Sequence, residues 1–480
     1  MSYFAIVTKL KDVRKHPNAD RLQLATVFGN TVCVSMEYVE SQLGVYFPTD
    51  GQLSVEFATA NNLLRKKDEN GNNIGGYMDP DKRNVTAIKL RGEKSDGLFL
   101  PLHCLESFGD ITSLREGDRI DNFNGHEICC KYIPRTQHKQ GSVSNGNRVR
   151  KKGRGLPYAP LFVEHADTEQ LAYNHGAFKV GDELEFTLKM HGTSQRTGYL
   201  KVFKGYKRTI LDRIFRRVGT PIYDWDYVTG TRRVVLEDFD GKTSFYGSNE
   251  FRKQHHDALV GKLWKGETVY YEVVGFTNTG APIMGNGNNE KLGKDFVKQY
   301  GKETVFSYGC SPTGNTGEQA PLINMDEKGN DIPFDNSCPV SDMYVYRMTM
   351  TNEDGDVVEY TPDFMRYRCE QMGVKTVLVF GKATLSADRL HFTAPDGFDH
   401  DYLIGDGTLG DMVQRCAEDY FDGPDPVGKT HTREGVVVRI INRPKFAAVK
   451  HKNFEFKVLS GTAVESANVE NMTDDMIAEL

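Results

Sequence analysis

The segment Leu184-Glu-Phe-Thr-Leu-Lys189-Met-His191-Gly192-Thr193-Ser194 constrains the fold more than any other stretch. Leu184, Phe186 and Leu188 alternate with other residues, the period of a strand with one buried face. Lys189 ends that strand on the opposite face, and Gly192 lets the backbone turn tightly where a ligand can approach. A lysine displayed this way can attack the α-phosphate of a nucleotide and form a phosphoramidate, once a desolvated site or cationic neighbours have favoured loss of its proton. A surface lysine before a glycine turn would show the same pattern, so the rest of the chain must decide.

Four later segments follow in order. Thr268-Val-Tyr-Tyr-Glu272-Val-Val-Gly-Phe276 is an apolar strand with one carboxylate, costly there unless a ribose hydroxyl or a cation partners it. In Met343-Tyr-Val-Tyr346-Arg-Met-Thr349, Tyr344 and Tyr346 share a strand face and can stack on a purine. Arg433-Glu434-Gly435-Val-Val-Val-Arg439 opens a buried strand with another carboxylate, suited to a metal or its waters. In Ala448-Val-Lys450-His-Lys452-Asn453 the two lysines point to one strand face and favour an anionic triphosphate.

At 480 residues the chain is too long for one hydrophobic core, and two or three domains are expected. No apolar run is long enough for a bilayer, and the first residues alternate like a strand, unlike a signal peptide, so a cytoplasmic protein without membrane partners is expected. The cysteines are scattered with no Cys-x-x-Cys pair, which reads as reduced thiols. A net charge of -6 argues against a general electrostatic grip on nucleic acid but allows a local one.

Residues 1–125 read as a β-rich unit, with strands Leu22–Phe28 and Thr31–Met36 joined by a turn at Gly29-Asn30. A five-stranded barrel of the OB type is expected there. Residues 126–156 form a basic linker in which Lys131, Arg135, Lys139, Arg148, Arg150, Lys151, Lys152 and Arg154 stand among Gly, Ser, Asn and Gln. It reads either as a solvated tether or as a phosphate-contacting arm. Residues 157–461 form one α+β region with helices at Thr361–Met372 and Asp411–Tyr420, and 462–480 form an acidic tail. No role follows for the Gly- and Asn-rich stretch 280–342.

Taken together, the five segments resemble motifs I, III, IIIa, IV and V of the covalent nucleotidyltransferases: DNA ligases, RNA ligases and capping enzymes. Lys-x-His-Gly-Thr and Val-Lys450-His-Lys452-Asn are similar to the RNA ligase 2 branch. An OB-like domain ahead of the catalytic region resembles the fifth RNA ligase family, and His16-Pro-Asn-Ala-Asp-Arg-Leu22 resembles the opening of tRNA-binding OB domains, although it also reads as a plain turn into a strand. Motif III lacks the usual Gly before its Glu, and Arg347 stands where many ligases have Asp.

The resemblance implies a nucleotidyltransferase domain of packed antiparallel sheets with helices, and an ATP-dependent RNA ligase using Mg²⁺ or Mn²⁺. It implies that Lys189 accepts AMP with Gly192 beside it, that Glu272 contacts the ribose and Tyr346 stacks on adenine, and that Glu434, with Glu272, serves the metal. Lys450 and Lys452 contact the phosphates, His191 acts in the RNA-directed steps, and Arg232, or alternatively Arg233, binds an RNA phosphate. The expected partners are RNA 3′-hydroxyl and 5′-phosphate ends, in repair or nick sealing. A DNA ligase, a capping guanylyltransferase and a non-catalytic RNA-binding protein are the competing readings.

Overall fold

The computed structural model describes residues 3–66, 75–132, 158–166, 168–232, 234–236, 239, 249–312, 324–325, 331–332 and 339–459. Arg233, the basic residues of the linker from Arg135 to Arg154 and the 462–480 tail lie outside these residues. The architecture is mixed α+β, built on antiparallel sheets, in two compact units: described residues of Met1–Ser144, Asn288–Asp295 and Phe454–Leu480 form one, and those of Asn145–Gly287 and Phe296–Asn453 the other. The described cysteines are free thiols. No described helix is long and apolar enough to cross a membrane.

The first unit is built from short strands in several small sheets. One sheet runs Leu98–Pro101, Leu43–Phe47, Ala5–Lys9, Arg119–Ile120; another runs Lys11–Lys15, Leu22–Val27, Asn30–Ser35. None closes on itself among the described residues, so the expected five-stranded barrel is not seen as one continuous sheet. The chain changes sheet between Lys9 and Lys11, and Asp12 (φ 53) then interrupts the register of Lys11–Lys15 against its neighbour. The expected hairpin forms with its turn shifted by one residue. Val27 pairs with Asn30, leaving Phe28 (φ 49) and Gly29 (φ 76) as the two loop residues. Positive φ at both positions is the turn whose twist matches the strands.

His16 is fully buried, its Nε2 3.1 Å from Leu90 O and its Nδ1 accepting from Asn18 N at 3.0 Å. Those bonds spend it on the loop rather than on a ligand. The helix Phe454–Leu459 also belongs to this unit, where Lys94 pairs with Glu455 at 2.7 Å and Lys457 with Asp96.

In the second unit seven strands carry the residues of interest: β1 (Glu183–Leu188), β2 (Thr193–Lys207), β3 (Thr220–Thr231), β4 (Glu267–Gly275), β5 (Ser341–Thr351), β6 (Gly435–Ile440) and β7 (Ala447–Lys452). One sheet has the order Glu169–Gln170, β7, β6, β1, Val379–Leu385, Arg389–Thr393, Asp399–Leu403. The other has Val235–Leu236, β3, β2, β4, β5, Val357–Glu359. Pairing is antiparallel except at two short parallel strands, Glu169–Gln170 on β7 and Lys375–Thr376 on β5.

Both expected helices form. The first, α1 (Pro362–Met372), is capped by Thr361, whose side chain accepts from Phe364 N, starts with Pro362 and ends at Gly373 with φ 66. The second, α2 (Leu409–Phe421), opens with a capping box between Thr408 and Asp411. Val269, Tyr271 and Val273 of β4 and Met343, Val345 and Met348 of β5 build one core with Met365, Cys369 and Met372 of α1. The opposite faces of β4 and β5 are thereby free to line a site.

Candidate active site

Leu184, Phe186 and Leu188 are fully buried, as the alternation requires, so Glu185, Thr187 and Lys189 come out together on the other face of β1 and line a cleft. The Lys189 N–H donates to Gly435 O at 3.0 Å, which ties the end of β1 to the start of β6. Two glycines permit the close approaches here. A Cβ on Gly192 would stand 2.3 Å from Val273 O and 2.9 Å from Glu272 Cγ; one on Gly435 would stand 2.1 Å from His451 O. Only glycine lets β2 begin against Glu272 and lets β6 begin against β7.

The result is a cluster of charge. Glu434, 4% exposed, receives Lys189 Nζ at 2.7 Å and Lys452 Nζ at 3.3 Å on one carboxylate oxygen. Burial pushes its carboxyl up, but Lys189, Lys452 and His191 outweigh burial and hold it well below the usual range, so it is ionised at neutral pH. Its second oxygen, Oε2, lies 3.5 Å from His191 Nδ1, at the outer edge of hydrogen-bond distance. Burial, reinforced by Lys189 and Lys452, lowers His191 despite Glu434, which leaves the ring neutral at pH 7. Behind it, the His191 N–H donates to Tyr308 Oη at 2.7 Å, and the Phe306 ring packs edge-on at 4.6 Å.

Glu272 faces the same cleft from β4. Burial, together with Glu434, pushes its carboxyl up to about 7 against the pull of Lys189, Arg232 and Arg252. A carboxyl this reluctant to ionise wants a cation or a hydroxyl beside it.

Tyr346 reaches the cleft through a β-bulge. Tyr270 pairs with Arg347 and Tyr271 with Val345, so Tyr346 is the extra residue on β5. The bulge puts Tyr346 and Arg347 on one side instead of alternating them. Tyr346 Oη sits 3.1 Å from Ser194 Oγ and its ring meets His165 edge-on at 4.9 Å. Arg347, where the family pattern has Asp, lies over the Tyr270 and Phe446 rings and pairs with Glu359.

The cleft is open to solvent and holds about 820 Å³ of space including that solvent. Of the residues singled out from sequence, Lys189, Arg232, Glu272 and Tyr346 line it; Glu434 joins it through Lys189, and His191 and Lys452 through Glu434. Gly192 and Arg232 line an adjoining hollow with Glu272. Lys450 pairs in register with Val437, a cleft residue, and lies on the face of β7 shared by Ala448 and Lys452. Tyr344 is buried across from Glu272, with Lys375 5.7 Å above its ring.

Sequence reasoning missed Glu185, Thr187, Arg366 and Arg439 at the apolar end of the cleft, and His165, Phe306 and Tyr308. Alternation back from Lys189 could have found the first two. Nothing local marks the others, which come from distant segments, Phe306 and Tyr308 from the 280–342 stretch that had no role. Among the described residues no group of three or more His, Cys, Asp or Glu side chains is arranged to hold a metal directly.

No protein-family model matches the chain, and no curated protein matches it. Among solved structures it is similar to a mutant of Naegleria gruberi RNA ligase with ATP and Mn, at 15% identity and TM-score 0.48 over 95% of this chain and 97% of that one. A second mutant of that ligase, with AMP and Mn, aligns at 14% identity and TM-score 0.49 over 94% and 97%. The same ligase with PPi aligns at 15% and TM-score 0.47 over 94% and 96%.

Proposed function

We propose that the chain is an ATP-dependent RNA ligase that joins a 3′-hydroxyl to a 5′-phosphate through an AMP carried on Lys189. The observation that carries this reading is the placement of the Lys189 amine: in the lining of the cleft, 2.7 Å from an ionised, buried Glu434 that Lys452 shares. The motif resemblance supplies the choice of RNA.

In the first step Lys189 Nζ attacks the α-phosphorus of ATP. The N–P bond forms, the bond to the β-phosphate oxygen breaks, and pyrophosphate leaves, with Lys452 and Lys450 supplying positive charge for it. Before that attack the amine must pass its proton to solvent, a loss that release from Glu434 would favour. In the second step an RNA 5′-phosphate oxygen attacks the same phosphorus and Lys189 leaves as the amine. In the third, the 3′-hydroxyl attacks the 5′-phosphorus, loses its proton, and AMP departs. Tyr346 and the apolar wall would hold the adenine, Arg232 the RNA phosphate, and His191 the geometry of the later steps.

The donor set fits a divalent cation bound through its waters. Among the described residues Glu434 Oε2 is buried with no well-formed hydrogen bond, and burial together with Glu434 pushes Glu272 up to about 7. Glu434 and Glu272 would hold Mg²⁺ or Mn²⁺, which supplies positive charge to the transferring phosphoryl group. The first unit, read as OB-like, would hold RNA; its edge strand Lys11–Lys15 presents exposed Lys11 and Lys15.

The test is transfer of label from α-labelled ATP to the protein, followed by sealing of matched RNA and DNA nicks. Wild type is expected to form an adduct with ATP and to seal RNA, and Lys189→Ala to form none. An undiminished adduct in Lys189→Ala overturns the assignment. A GTP adduct, or sealing confined to DNA, moves the chain to the capping or DNA-joining reading.

A further inference from the structure

We infer that the tip of the β2–β3 hairpin, residues 206–218, docks the protein on an anionic phospholipid surface, its apolar face entering the headgroup layer and its cations meeting the lipid phosphates. This surface is separate from the cleft: from Ser194, at the cleft end of β2, to Lys207 at the tip is roughly 40 Å of extended strand.

β2 and β3 pair as far as Lys207 and Thr220, and between them the chain forms a short helix, Ile210–Ile214. Thr209 and Asp212 cap each other: the Thr209 hydroxyl accepts from Asp212 N, and the Asp212 carboxylate accepts from Thr209 N. Arg208 Nε donates to Val218 O at 3.2 Å across the base of the loop. The turn is therefore held by its own polar groups, and its apolar side chains take no part in holding it. Ile210, Leu211, Ile214 and Phe215 recur at helical spacing and share one face, with Arg213 on the other side. Phe215 N donates to Leu211 O at 2.8 Å and continues the turn. With Val218, these four are between 58% and 77% exposed. Every residue from Tyr206 to Val218 except Asp212 is exposed, so the tip is convex, not a groove.

A contiguous apolar patch rimmed by polar groups marks an interaction surface. Its charge says what kind. Lys207, Arg208, Arg213, Arg216 and Arg217 stand against one acid, Asp212, in a chain whose net charge is -6. The partner must then be anionic. A second copy of the same tip would set cations against cations. An RNA backbone would satisfy the cations and leave Ile210, Leu211, Ile214 and Val218 in water, because aliphatic side chains offer bases no stacking plane. An acidic amphipathic helix of another protein seeks a groove, and the tip offers none. A bilayer interface takes a convex apolar face and basic side chains together. The lack of an apolar run long enough to span, which predicts no membrane partner, does not bear on surface attachment, which takes only a basic amphipathic segment.

The experiment is sedimentation of the full chain with vesicles of equimolar phosphatidylcholine and phosphatidylserine, and with vesicles of phosphatidylcholine alone. Wild type is expected to bind the mixed vesicles, less tightly as salt is raised, and to ignore the neutral ones. The double variant Leu211→Asp, Phe215→Asp is expected to lose at least about tenfold in affinity, and Arg213→Gln, Arg216→Gln and Arg217→Gln roughly fivefold each. All these side chains are exposed, so thermal midpoints should stay at the wild-type value and show that lost binding is not lost folding. Wild type that binds neither vesicle overturns the inference, as does binding that survives the double aspartate variant. Arginine variants that lose affinity for an RNA duplex, with no vesicle bound by wild type, assign the tip to RNA instead.

Discussion

Glu434 is the residue on which most interactions converge, and removing it leaves two ammonium groups facing each other in a half-closed site. Lys189 and Lys452 are 21% and 16% exposed, so solvent screens part of the penalty. Glu434→Ala is expected to lose about 1–3 kcal/mol in denaturant unfolding, less than a fully buried broken pair, and to abolish the ATP adduct. Pairing it with Lys452→Met should recover stability without recovering the adduct, because the repulsion goes while the cation site stays absent. A second residue gives a pH signature. His255 is buried, its Nε2 2.9 Å from Ser341 Oγ, and burial lowers it from 6.5 to about 4. The unfolded chain therefore takes up a proton as pH drops below 6.5 while the folded chain resists until about 4. Stability falls with acidification across that window, by at most about 3 kcal/mol from this group. Thermal midpoints at pH 7 and pH 5 should draw closer together in His255→Asn than in wild type; an unchanged gap would mean the imidazole is charged in the fold.

At the scale of elements, the site is made by strand ends and one bulge. Alternation showed the strand at Lys189, the carboxylate strands at Glu272 and Glu434 and the lysine pair, because each needs only a period of two. Periodicity gave α1 and α2 for the same local reason. The bulge at Tyr346 was not legible: it is a register difference between β4 and β5, and no single strand carries it. Nor was the role of Gly192, whose need for glycine comes from Val273 O 2.3 Å away on another strand. Gly192→Ala is expected to force β2 from β4, costing about 1–3 kcal/mol as overpacking, and to weaken ATP adduct formation by displacing Glu272. A variant that keeps both its melting midpoint and its adduct rate would show that this approach is not required. Tyr346→Leu should raise the ATP concentration needed for half-maximal adduct while Tyr346→Phe, which keeps the ring, should not; equal behaviour of the two would deny stacking.

At the scale of the molecule, chain order and spatial grouping part company. Reading along the sequence places 157–461 in one region, yet Asn288–Asp295 and Phe454–Leu459 group with the N-terminal residues. Composition cannot reveal this, because a short amphipathic helix carries no sign of which core its apolar face will enter. The structure names that core through Phe456, fully buried, and the ion pairs of Lys94 with Glu455 and Lys457 with Asp96. The Lys94–Glu455 pair is partly exposed and contributes little, whereas a buried aromatic removed to alanine costs about 3–5 kcal/mol. Phe456→Ala is accordingly expected to lower the unfolding midpoint strongly, and Phe456→Leu by less than half as much. Glu455→Gln should shift it by under about 1 kcal/mol. If Glu455→Gln proved as damaging as Phe456→Ala, the helix would be held by charge, and the packing account of why Phe454–Leu459 groups with the N-terminal residues would fail.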